Sequence, residues 1–121
     1  MADYIRTKED DLIDILDGFG YPVDRQGSYQ QGQAYPPTFL TFWTDTEDGN
    51  HYNNHAATTI WHFDVNAYSS NPDTVIRTIL GAKAALEAAG FIVPGKGSDA
   101  ASDYPTHTGK TLDVWYIERN K

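Results

Sequence analysis

From residue 59 to residue 68 the chain alternates without a break. Trp61, Phe63, Val65 and Ala67 fall on one side of an extended backbone, and His62, Asp64, Asn66 and Tyr68 on the other. A period of two over that length is a strand with one buried and one wet face. Directly after it, Asn71 is placed to cap a helix, with Pro72 at the first helical position, where its missing N–H costs nothing. A half-polar strand followed by an amphipathic helix demands at least two layers, with the helix covering the apolar side.

The other elements fit that frame. In the second helix, Val75, Ile76, Ile79, Leu80, Lys83 and Leu86 give a helical stripe, and Gly90 closes it. Its alanines at 82, 84, 85, 88 and 89 permit close packing. In the first helix, Thr7 is the cap, Asp10 a shortened capping-box partner, and Gly18 or Gly20 the stop. Leu12, Ile13, Ile15, Leu16 and Phe19 form its apolar side. Further strands are expected weakly at 21–23, then at 39–43, 91–93 and 112–118, with an acidic turn at 45–49. This order predicts a single α+β domain over residues 1–121. It has a mainly antiparallel sheet of four to five strands and two helices packed on one face. The strands at 39–44 and 59–68 pair as a hairpin around a loop at 45–57.

Charge and composition narrow the function. Nine Lys and Arg stand against seventeen Asp and Glu, a formal net charge of -8. That balance argues against a protein that grips a phosphate backbone, so no direct nucleic-acid binding is expected. A DNA mimic is also a poor fit, because the acids gather on one helix and one turn. The first 60 residues hold ten acids and three bases, and the remainder seven and six. Such asymmetry points to an interaction surface. The absence of cysteine excludes a disulfide framework, a thiolate metal site and a cysteine nucleophile. No leader and no membrane span are expected from the apolar runs present.

Motifs that carry chemistry fail in context. Gly90 to Gly97 is near a phosphate loop, but it follows a helix and lacks the terminal hydroxyl. His51 and His55 have the spacing of a zinc helix without the catalytic glutamate, among residues that disfavour a helix. Asp45 to Gly49 has its glycine one position early for a calcium loop, and Ala56 stands where the bidentate glutamate belongs. We therefore assign no catalytic, cofactor or metal residues. The alternative is a ligand-binding or enzymatic domain using the His62 and Asp64 strand face.

Two other features favour an interface. Asp10, Asp14 and Asp17 line one side of the first helix, where like charges and the helix dipole disfavour them. Three long polar segments, 26–37, 45–57 and 95–110, are expected to be mobile loops. They carry Tyr29, Tyr35, Tyr52 and Tyr104 as amphipathic anchors that order on assembly.

Several segments together resemble a known family. They are Leu16-Asp17-Gly18-Phe19, Tyr35-Pro36-Pro37-Thr38-Phe39-Leu40-Thr41-Phe42-Trp43, the strand from Trp61 to Tyr68, Asn71-Pro72-Asp73, and Asp113-Val114-Trp115-Tyr116-Ile117. In these the chain is similar to tail-terminator and tail-completion proteins, the head–tail joining or minor capsid proteins of long-tailed, non-contractile bacteriophages and prophages. The resemblance implies a structural virion protein without enzymatic activity and without cofactors. It also implies a homo-oligomeric ring, a hexamer in that family, partnered by tail-tube and connector proteins. Such a protein is found in the host cytoplasm during assembly and then in the virion.

Overall fold

The structure is a computed structural model and describes residues 6–25, 36–52, 55–102 and 106–119, without side chains for 50–57. Its elements run α1 (Lys8–Asp17), β1 (Val23–Arg25), β2 (Thr38–Tyr52), β3 (His55–Ser69), α2 (Pro72–Ala88), β4 (Ser98–Ala100) and β5 (Thr108–Arg119). The five strands form one sheet in the order β1-β2-β3-β5-β4. Only β1 and β2 are parallel, and every other pair is antiparallel. The α+β class is as expected from the sequence.

Local chemistry explains both helices. The Thr7 hydroxyl accepts from the Asp10 N–H at 3.3 Å, and the Thr7 N–H donates to the Asp10 carboxylate at 2.8 Å. This reciprocal capping box satisfies donors that a helix start leaves unpaired. In α2 the Asn71 side chain accepts from the Asp73 N–H at 3.0 Å, and Pro72 opens the first turn. Gly90 then reverses the chain at φ +94°, which a side chain would strain.

One hydrophobic core binds helices to sheet. Leu12 and Leu16 of α1 and Val75, Ile79, Ala82 and Leu86 of α2 pack with sheet residues of a single parity. These are Leu40 and Phe42 on β2, Phe63, Val65 and Ala67 on β3, and Leu112 and Val114 on β5. Phe91 and Val93 close the layer behind α2. Both helices therefore lie on one face.

Four expectations need correction. Residues 45–52 and 55–57 are not loop, because β2 and β3 run on as one long hairpin in which Asp45 pairs with His62 and Tyr52 with His55. β-branched Thr58, Thr59 and Ile60 hold the ladder, and charges at 45, 47 and 48 are tolerated on a strand whose outer side is solvated there. The segment 95–110 is likewise not all loop, since Ser98–Ala100 and Thr108 onward are strand. Residues 91–93 give only an isolated bridge, Ile92 to Trp115. In α2, Ile76 and Leu80 point outward at 44% and 46% exposure, and Thr78 and Ala82 take the core positions. The small Ala82 side chain lets the helix sit close, so its buried line passes to one side of the larger residues.

Of the expected mobile loops, most of 26–37 lies outside the described residues. No helix is long and apolar enough to cross a membrane among the described residues.

Candidate functional site

The sheet face opposite the helices is built by the alternate residues of the same strands. Cross-strand register sets them in rows: Thr41–Asn66–Thr111, then Trp43–Asp64–Asp113, then Asp45–His62–Trp115, then Glu47–Ile60–Ile117. One end of this face is closed. Phe39 stacks on Tyr68 with ring centres 5.1 Å apart, and His107 lies 5.8 Å from Phe39 while its Nε2 meets the Pro36 carbonyl at 2.9 Å. Phe39, Thr41 and Asn66 are buried as a result.

The other end is open. Trp43 is 57% exposed and Ile117 55%. Ile92 is 50% exposed; two backbone hydrogen bonds hold it against Trp115, between buried Phe91 and Val93. Monomeric surfaces seldom gather large apolar groups in this way without a use.

His62 is the centre of this region. Its ring stacks on Trp115 at 4.0 Å between centres and 19° between planes. Its Nε2 stands 3.5 Å from Asp64 Oδ1 and 3.6 Å from Asp113 Oδ1, too far for a good hydrogen bond, and is shut off from solvent without a hydrogen-bond partner. Asp64 and Asp113 are direct neighbours across the ladder, an arrangement that costs stability when both are charged. Burial, and then the hydrogen bond a protonated Asp64 makes with Asp113, hold the Asp64 carboxyl above its ordinary value against the pull of His62.

Two hollows flank this centre. One of about 420 Å³ is lined by Trp43, Thr44, Asp45, His62 and Asp64. The other, of about 230 Å³, lies against Asp45, Glu47, Ile60, His62 and Trp115. Chemically the region offers aromatic planes, carboxylates and one imidazole. The donor atoms of His62, Asp64 and Asp113 lie within 4.8 Å of one another and are the residues that could hold a metal ion. Closing them on one ion would require the two carboxylates to move inward, since bonds near 2.1 Å need donors about 3.0–3.4 Å apart.

The residues singled out in the sequence fare unequally. His62 and Asp64 do share this face. Asp113, Asp45, Trp43 and Trp115, which complete it, were not grouped with them, because cross-strand register is invisible in one sequence. The available signal was the second alternation, Asp113, Trp115 and Ile117 between Leu112, Val114 and Tyr116.

The acidic side of α1 has partners of its own. Asp10 belongs to the capping box. Arg6 curls back to bind Asp14 and, at 2.6 Å, Asp11, which Lys8 also meets at 3.2 Å. Asp17 stays exposed. Tyr52 sits by its backbone near the hairpin tip, opposite His55, and Tyr29, Tyr35 and Tyr104 lie outside the described residues.

No protein-family model matches the chain, and no curated protein matches it.

Proposed function

We propose that this chain is a non-enzymatic assembly protein of a virion, a tail-terminator or tail-completion protein that forms a ring at the head–tail junction of a long-tailed bacteriophage. The observation that carries the reading is the uncovered half of the sheet. It presents Trp43, Ile92 and Ile117 at half exposure or more beside carboxylates that no Lys or Arg of the described residues meets, the character of a surface that another protein covers. The sequence resemblance supplies the class of assembly. Ile76 and Leu80, exposed one turn apart on the outer side of α2, offer a second apolar contact suited to a neighbouring copy. On this reading the protein is made in the host cytoplasm and ends in the particle.

Size-exclusion chromatography with light scattering, followed by negative-stain imaging with isolated tail tubes and connectors, tests this. Rings, or tubes capped at one end, are expected. A chain that remains monomeric at high concentration and binds neither tubes nor connectors would sink the proposal.

The meeting of His62, Asp64 and Asp113 supports a second reading, a ligand-binding or enzymatic domain. Replacing His62 and Asp64 by Ala separates the two. An enzyme loses turnover with its assembly state unchanged, whereas an assembly protein shows the change in docking.

A further inference from the structure

The open half of the sheet is acidic as well as aromatic. Asp45, Glu47, Asp64 and Asp113 share it, and among the described residues no Lys or Arg pairs with any of the four. Elsewhere the chain does the reverse. Arg6, Lys8, Arg25, Arg77, Lys83 and Lys110 each hold a carboxylate of the same chain. Four carboxylates that no base of the described residues meets thus stand where the large apolar side chains are exposed, with Arg119 at the far end of the same face.

This distribution selects the occupant. A second copy docked by the same face would set four carboxylates against four at low dielectric, where like charges repel strongly. A second copy docked by another face would bring a chain of net charge -8 whose bases mostly serve its own acids, with Lys96 and Arg119 alone among the described residues holding no carboxylate. Charge complementarity therefore favours a different, cationic protein over a second copy. Between the two cationic side chains, the geometry favours arginine. Its planar guanidinium stacks on aromatic faces, meets carboxylates in pairs and sheds water more readily than an ammonium. Trp43 and the His62–Trp115 stack stand at opposite corners of the two central rows, with the carboxylates of Asp45, Asp64 and Asp113 between them. The two hollows over Asp45 and His62 leave room for such a side chain.

We propose that this face docks an arginine-bearing, partly apolar segment of a second, different protein, with a guanidinium set between Trp43 and the His62–Trp115 stack and its charge met by Asp45, Asp64 and Asp113. The like-charge pair Asp64–Asp113, unfavourable in the free chain, is relieved when the cation arrives. The orphaned His62 Nε2 sits beside the same carboxylates. Ile60, Ile92 and Ile117 supply the dry border that keeps water from the ion pairs. The inference rests on the assembly reading only for the owner of the arginine, which would be another virion protein.

The test uses the full chain and a short blocked peptide of alternating Arg and Leu, titrated by tryptophan fluorescence in about 150 mM salt, where weak surface attraction is screened. A peptide with citrulline for Arg keeps the shape and removes the charge. Binding of the Arg peptide is expected to be roughly tenfold or more tighter than that of the citrulline form. A comparable loss is expected in Trp43→Ala and in the double variant Asp64→Asn, Asp113→Asn. Asp73→Asn and Glu87→Gln, on α2, should bind as the parent does. Any of three results overturns the proposal: no difference between the peptides, equal losses in the α2 variants, or tight binding of Zn²⁺ or Mn²⁺ that displaces the peptide and marks a metal site instead. Far-ultraviolet circular dichroism of each variant keeps a folding defect apart from a binding one. The peptide titration reports on the face alone and tube or connector binding on the biological role, so each can fail without the other.

Discussion

The two faces of the sheet are made by the same three long strands and differ in nearly everything else. On β3, Phe63 and Val65 are fully buried beneath the helices, while Asp64 between them faces outward beside Asp113. Backbone and ladder are shared, so the contrast isolates what side chains do. The covered face carries the burial that holds the domain together. The open face, in its middle rows, carries a like-charge pair and an imidazole whose Nε2 has no hydrogen-bond partner, neither of which favours folding. Local features that do not favour folding tend to mark a surface with another use.

The largest effect that should break this comparison is Phe63→Ala. Removing a fully buried ring from the centre of the core should cost about 3–5 kcal/mol, seen as a fall in the urea midpoint. A loss no larger than that of an open-face substitution would show that the helices do not pack as described. Gly109→Ala comes next. A methyl group there would meet the Tyr68 ring at 2.6 Å and the Ala100 carbonyl at 3.0 Å, at the closed end of the other face. About 1–3 kcal/mol is expected, with the Phe39–Tyr68 stack disturbed. If Gly109→Ala were neutral, that end would be as open as the middle, and the division within the face would fail.

What was legible in the sequence follows the same division. The helices were readable because their signals are local: Thr7 with Asp10, Asn71 with Pro72, Gly90 at the stop. The alternation of β3 gave the two faces directly. The extent of the hairpin was not readable, because Asp45 to Gly49 has turn composition, and only pairing with residues 58–62 makes it strand. β4 has three residues and no apolar pattern, so nothing marks it. The site was half visible. His62 and Asp64 lie on one strand, whereas Trp43, Asp45, Asp113 and Trp115 reach them only through register, which is tertiary information. On α1 the contact of Arg6 with Asp11 and Asp14 was hidden for a related reason, since Arg6 lies outside the helix and folds back onto it.

Trp43→Ala sharpens the contrast from the other side. A large aromatic residue is removed, yet at 57% exposure its loss should leave stability within about 0.5 kcal/mol of the parent. A loss of core magnitude would mean that Trp43 is part of the folding unit and would remove the main argument for a docking role.

The smallest effect tests the sign of the open face. Asp64 is held above its ordinary carboxyl value by burial and by Asp113, so the folded chain binds that proton more tightly than the unfolded chain does. Its contribution to stability is therefore complete in acid, below the ordinary value, and is lost as pH rises through the raised one. With the side chain 45% exposed, solvent screening keeps the amount to a few tenths of a kcal/mol by analogy with cross-strand like charges, ~0.2–1 kcal/mol. Asp64→Asn should thus be slightly more stable than the parent at neutral pH and lose that advantage in acid. Asp11 on α1 runs the other way. Burial alone would raise it, but the hydrogen bonds from Arg6 and Lys8 outweigh that and hold it below the ordinary value. Its contribution is present at neutral pH and disappears as pH falls, so Asp11→Asn should be the less stable chain at neutral pH and converge on the parent in acid. Urea titrations of both variants across that range should give differences of opposite sign at neutral pH. Two differences of the same sign would mean that the open face is neutralised within the chain as α1 is, and no unmet charge would remain there for a partner to answer.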